Sequence, residues 1–199
     1  MHIISIILFA LTSNIDNFTI GIAYGMKKIK VGIFSNLIVA FISAIGTFIS
    51  MSIGLLISNL LPVRFSNILG AGILVVIGLW FIKDFFTQKK LAISKDNKLT
   101  NLLDNPYGAD TNNSGNIDIK ESITLAFALT INNLGLGIGA SITGLNIQYT
   151  TTFTFIFSIL TLSLGSLLGN SFLSWLFGRF APLVSGLIIV VLGIYEMLI

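Results

Sequence analysis

The chain has 199 residues, 54% hydrophobic and 10% charged, with a formal net charge of +3. Soluble domains carry roughly 25% charged residues, so the polar surface here is too small to cover a globule in water. Cysteine is absent and the single histidine is His2, which excludes disulfides, thiolate metal sites, cysteine nucleophiles and histidine-based catalysis.

The apolar residues fall in runs of about 20, the length a helix needs to cross a bilayer core. Six spans are expected in chain order, at residues 3–24, 31–60, 65–86, 121–143, 149–177 and 181–199. The first lacks a basic leader region and a small-residue cleavage site, so it reads as a retained span and not as a signal peptide. The short connections "GMKKIK", "LPVR", "GLNIQ" and "GRFAP" place glycine, proline and charge where helices should stop. Three units follow: 1–86, a polar segment at 87–120, and 121–199. With the N-terminus outside, Lys27, Lys28, Lys30, Lys83, Lys89, Lys90, Lys95, Lys98, Lys120 and Arg179 share one side, and only Arg64 falls on the other. The positive-inside rule then puts both termini outside a plasma membrane and the polar segment in the cytoplasm. The positive charge reflects topology. No basic patch with interleaved aromatics suggests nucleic acid.

Span one contains "SNIDNFTIG", with Asp16 at its centre. A charge at that depth costs about 2.5–3.5 kcal/mol on insertion scales. Asp84 and Glu196 stand near span ends and are expected to reach the interface. The run "ALTSNIDNFTIGIA" in span one aligns without a gap on "AFALTINNLGLGIG" in span four, and "ILVVIGLW" in span three on "IIVVLGIY" in span six. Asp16 falls on Asn132 and Asn17 on Asn133. Three spans per half makes the second half enter from the opposite side. The fold expected is therefore all-α, with six transmembrane helices in two inverted-topology three-helix repeats, as in many secondary transporters. Alternating access would come from rocking one repeat against the other. In span two, Gly46, Ser50 and Gly54 recur every fourth residue, as Gly165 and Gly169 do in span five, which suits close helix packing.

Hard cations take carboxylate, amide and carbonyl oxygens. Asp16 with Asn14, Asn17, Asn132 and Asn133 forms the candidate transport site for a divalent cation. "GLGIGA" is expected to loosen span four just after Asn133. The same polar residues could instead hold the two helices together.

Before span four, "DTNNSGNIDIKE" fills every slot of a 12-residue EF-hand loop. Asp110, Asn112, Ser114, Asn116 (through its carbonyl), Asp118 and Glu121 are the ligand positions, and Gly115 supplies the turn. A Ca2+ ion is the expected cofactor, with Mg2+ or Mn2+ as competitors. The preceding "NLLDNPYG" is a poor entering helix.

"SNIDNFTIGIAYGMKKIKVG", "ADTNNSGNIDIKES" and "LTINNLGLGIGA" resemble the MntP-like manganese efflux family, and within it a branch of sporulation membrane proteins. The resemblance implies a multi-pass plasma-membrane protein of a spore-forming bacterium that exports divalent cations and is not an enzyme. Exporters of the family carry an Asp in each motif, whereas Asn132 stands in the second here. Two readings remain open: a divalent-cation transporter with a calcium loop, or a non-transporting, calcium-responsive scaffold used in sporulation. No Walker-type phosphate loop is present, and the lone Asp16 argues against an aspartyl intramembrane protease. Oligomeric state has no signal in the sequence.

Overall fold

The computed structural model describes residues 3–87, 109–169 and 173–198. It is built of helices: α1 (Ile3–Thr12), α2 (Ile15–Met26), α3 (Ile33–Asn59), α4 (Val63–Thr87), α5 (Ile119–Ile142), α6 (Ile147–Leu168) and α7 (Leu173–Leu198). Two short strands, β1 (Lys30–Val31) and β2 (Asn116–Ile117), pair in parallel. Among the described residues five helical segments are long and apolar enough to cross a membrane. The pair Ile119–Ile131 and Asn133–Ile142, bent by 47°, makes a sixth if counted as one span.

Local chemistry sets most boundaries. Pro62 stands just before α4, where a missing N–H does no harm. Asp118 and Glu121 form a reciprocal capping box at the start of α5. Gly144, at φ 90°, turns the chain between α5 and α6, and Asn146 caps α6 through the Tyr149 N–H at 3.1 Å. The expected boundary between the last two spans is corrected. The helix of span five stops at Leu168, not at residue 177. Helix α7 begins at Leu173, and its span-forming part, Phe180–Leu198, matches the expected 181–199 to within a residue. Pro182 was expected to separate the two but lies inside α7. Its ring removes one backbone donor and clashes with one carbonyl, which a long helix packed along its length can absorb.

Among the described residues, every extensive helix contact joins the first half of the chain to the second. Helix α3 packs on α5 and α6, α4 on α7 and α5, and α1 with α2 on α6 and α7. Neither half forms a body of its own, so rocking of one half as a rigid unit does not fit this packing. Glycines allow the closest approaches. A Cβ on Gly21 would lie 2.5 Å from the Leu162 carbonyl of α6, and one on Gly54 2.5 Å from the Ile138 carbonyl of α5.

The buried apolar residues form two clusters. One, near the lysine-bearing connections, gathers Ile20, Tyr24, Val39, Leu125, Leu129 and Leu162 with Ala109 and Ile117 of the loop. The other gathers Ile6, Phe9, Met51, Leu74, Leu136, Ile189 and Leu192. Along α3 the layer between them carries Ser43 and Thr47; along α5 it carries Thr130 and Asn133. A polar layer thus sits at mid-span between two apolar ones.

Candidate cation site between broken helices

Span one breaks where its polar residues cluster. The Thr12 hydroxyl donates to the Leu8 and Phe9 carbonyls at 2.7 and 3.0 Å, and Ser13 Oγ donates to Ala10 O at 3.3 Å. Asn14 Nδ2 donates to the same Ala10 carbonyl at 2.7 Å. These side chains supply donors to carbonyls at the end of α1, so the chain can leave the helix without stranding them. Asn14 takes a bridging conformation, φ −113° and ψ 7°, and α2 starts at Ile15. Asp16 therefore stands in the first turn of a new helix, where the positive end of the helix dipole favours a carboxylate. It is half-buried. That placement is one physical reason why a charge is tolerated there.

The second motif stays helical from Ile119 to Ile142 but turns sharply. The 47° bend in α5 falls between Ile131 and Asn133, ahead of the glycine run that was expected to loosen the helix. Those glycines serve packing instead: Gly137 meets Ser50, and a Cβ on Gly139 would lie 3.0 Å from Ile73. Asn133 Nδ2 donates to the Ser13 carbonyl at 2.5 Å, bridging the bend in span four to the break in span one.

The expected transport residues divide as follows. Asn14, Asn17 and Asn133 come together. Asn17 Nδ2 donates to Asn14 Oδ1 at 3.0 Å and to Ser158 Oγ of α6 at 2.8 Å, and Asn14 Nδ2 also reaches the Thr154 carbonyl at 3.4 Å. Asp16 is not among the residues lining the cavity at this point. Asn132 lies in α5, with its side chain outside the described residues. The cavity, about 10 Å³, is lined from spans one, two, four and five.

Sequence reasoning missed the contribution of α3 and α6. Ser43, Gly46 and Thr47 of α3 and Thr154 of α6 line the cavity, and Ser158 holds Asn17. Thr150, Thr154, Ser158 and Thr161 all face the interior of α6, and their spacing of four, four and three was the available signal. It also missed a buried acid. Glu196 was expected at the interface; it is 3% exposed and accepts a hydrogen bond from Ser5 Oγ. The N-terminal turn of α1 covers it.

The loop ahead of α5 has the expected turn. Gly115 takes φ 74°, and the Asp110 carboxylate accepts from the N–H groups of Ser114 and Gly115, both at 3.0 Å. Asn112 Nδ2 donates to Asp118 Oδ2 at 2.9 Å, and Ser114 Oγ to the Asn116 carbonyl at 2.8 Å. Glu121 accepts from the Thr111 N–H and hydroxyl, both at 2.8 Å, and from the Asp118 N–H at 2.9 Å. Its carboxylate is thus engaged by the loop itself. Among the described residues no three His, Cys, Asp or Glu side chains converge as a metal-holding group. The expected entering segment at 101–108 lies outside the described residues. The loop is docked, not free. Lys30 pairs with Asn116 and Val31 with Ile117, and Ser35 Oγ donates to the Ile117 carbonyl at 2.6 Å.

Apolar spans, a helix broken at mid-span and a sealed polar layer define a multi-pass α-helical membrane protein. The family model described as "Putative manganese efflux pump" matches residues 100–197. Over 210 residues the chain is 31% identical to the "Probable sporulation protein YtaF" of Bacillus subtilis (strain 168), a match covering 99% of this chain and 100% of that protein. No solved structure matches. The chain belongs to the MntP manganese efflux pump family, on the YtaF side of it.

Proposed function

We propose that the protein exports a divalent cation of manganese type from the cytoplasm, with Asp16, Asn14, Asn17, Asn132 and Asn133 as the transport site. One observation carries this reading: Asn133 reaches the broken backbone of span one at Ser13, in a polar layer closed on both sides by apolar side chains. A broken helix in the membrane is tolerated where it faces protein or a polar cavity, and transporters use such ends to hold ions. Asp16, at the N-terminus of α2, is the only acid in either motif. It supplies the charge, and the amides supply neutral oxygens that release the ion readily.

The inverted repeat belongs to the same proposal, and the close contacts support it. Gly21 of span one meets Gly165 of span five, and Gly137 of span four, which aligns with Gly21, meets Ser50 of span two. Gly78 meets Gly186 between spans three and six, and their aligned partners Gly193 and Ala71 meet as well. A pseudo-twofold axis in the membrane plane makes such exchanged pairs. With the lysine-bearing side in the cytoplasm, both termini lie outside. The loop at Asp110, Asn112, Ser114, Asn116, Asp118 and Glu121 takes Ca2+ when Glu121 exchanges its present donors for the ion.

The second reading, a calcium-responsive scaffold in sporulation, draws on the neutral Asn132 and on the relative's printed name. Metal content of cells separates the two. Cells carrying the wild-type chain should hold less manganese than cells lacking it, and Asp16→Asn should restore the higher level. Equal content in all three would leave the scaffold.

A further inference from the structure

The cavity at the break in span one shares Asn14 and Asn133 with the proposed divalent site, yet its lining has a chemistry that site does not account for. Every side chain lining it is neutral; its polar groups include the hydroxyls of Ser43, Thr47, Thr130 and Thr154 and the amides of Asn14 and Asn133. Two of these oxygens point to a ligand. Thr130 Oγ1 and Thr154 Oγ1 are buried and have no hydrogen-bond partner, and Thr154 as a residue is 2% exposed. A buried hydroxyl left unpartnered is destabilising, so each one in a folded protein calls for a partner. The end of α1 adds a third element, the negative end of its dipole, although its carbonyls already accept from Thr12, Ser13 and Asn14.

The donor set selects the charge of the guest. Oxygen atoms suit hard cations. The Born penalty for moving an ion out of water rises with the square of its charge, making a divalent ion about four times as costly as a monovalent one. Neutral oxygens and a half-helix end offset the smaller penalty; a divalent ion needs the carboxylate of Asp16 as well. Size narrows the choice further. About 10 Å³ is room for one body no larger than a water molecule, which admits a sodium-sized cation and disfavours larger ones.

We propose that this neutral cavity binds a single alkali cation of sodium's size. The role of that ion as coupling ion rests on the transport reading; its binding does not. Residues on four spans meet at the cavity, so an ion there ties spans one, two, four and five into one arrangement.

The test uses the full-length protein purified in detergent, free of divalent ions, with thermal unfolding followed by tryptophan fluorescence. Sodium chloride is exchanged for potassium or choline chloride at constant ionic strength. A bound ion stabilises according to the ratio of its concentration to its dissociation constant. Wild type should unfold at a higher temperature in sodium than in potassium or choline, with a saturable dependence. Thr154→Val keeps the shape and removes the unpartnered oxygen; it should raise the half-saturating sodium concentration about tenfold. Thr130→Val serves as a second variant if Thr154→Val does not fold. Identical unfolding of wild type in all three salts means the cavity holds water only and overturns the proposal, as does an unchanged sodium response in both variants. Manganese flux in proteoliposomes keeps the two readings apart. Sodium stabilisation without flux removes the transport reading alone, and flux without sodium stabilisation removes the sodium site alone.

Discussion

The two related motifs start from similar residues and end in different backbones. In the first, Thr12, Ser13 and Asn14 all donate to carbonyls of the preceding turn, and the helix parts between Thr12 and Ile15. In the second, Thr130 leaves its hydroxyl unpartnered and apolar Ile131 interrupts the polar run; α5 stays helical from Ile119 to Ile142 but turns by 47° there. The number of consecutive side chains able to replace backbone bonds decides between a break and a bend. The break then creates the helix N-terminus at which Asp16 is tolerated.

Substitutions at matched positions can sharpen or break this contrast. The largest effect is expected at the helix crossing. A Cβ on Gly21 would strike backbone, with the Leu162 carbonyl at 2.5 Å and the Ser166 nitrogen at 2.9 Å, whereas one on Gly137 meets the side chain of Ser50, which can turn away. Gly21→Ala should therefore cost about 2–3 kcal/mol of unfolding free energy, and Gly137→Ala under about 1. Equal losses would mean that the two crossings are not the unlike pair described. Next come the amides. Asn14 donates to Ala10 O and accepts from Asn17, while among the described residues Asn133 makes one side-chain bond, to Ser13 O. Asn14→Ala should destabilise by about 2 kcal/mol and Asn133→Ala by about 1; the reverse order would show that the break is not held by Asn14. The smallest change is Glu121→Gln, which weakens a cap by about 0.5 kcal/mol. Calcium should stabilise the wild-type protein and leave this variant unmoved. Calorimetry with no heat of calcium binding in the wild type would remove the loop from the account.

Much of the architecture was legible because it depends on local chemistry. Asn14, Asn17 and Asn133 marked the polar layer, and glycines at fourfold spacing marked the crossings that Gly54 and Gly165 make. Gly115 marked the loop turn. What escaped depends on neighbours distant in sequence. The spacing of the α6 hydroxyls marks one face but not which of them reach the cavity, since Thr150 and Thr161 bond their own helix, at 2.7 and 2.8 Å to the carbonyls of Asn146 and Phe157, and a hydroxyl facing another span looks the same in sequence. Glu196 sits near a chain end, which suggested water; only the packing of α1 against α7 buries it against Ser5. Pro182 suggested a stop because its local penalty is visible, whereas the packing of α7 along α4 is not.

The central claim is that the break in span one and the bend in span four hold a cation with Asp16 as its charge. Manganese flux through the purified protein in sealed liposomes addresses it most directly. Liposomes with the wild-type chain should move manganese well above the protein-free leak, and those with Asp16→Asn should fall to that leak. Wild-type flux no greater than the leak, or an Asp16→Asn protein as fast as wild type, would contradict it.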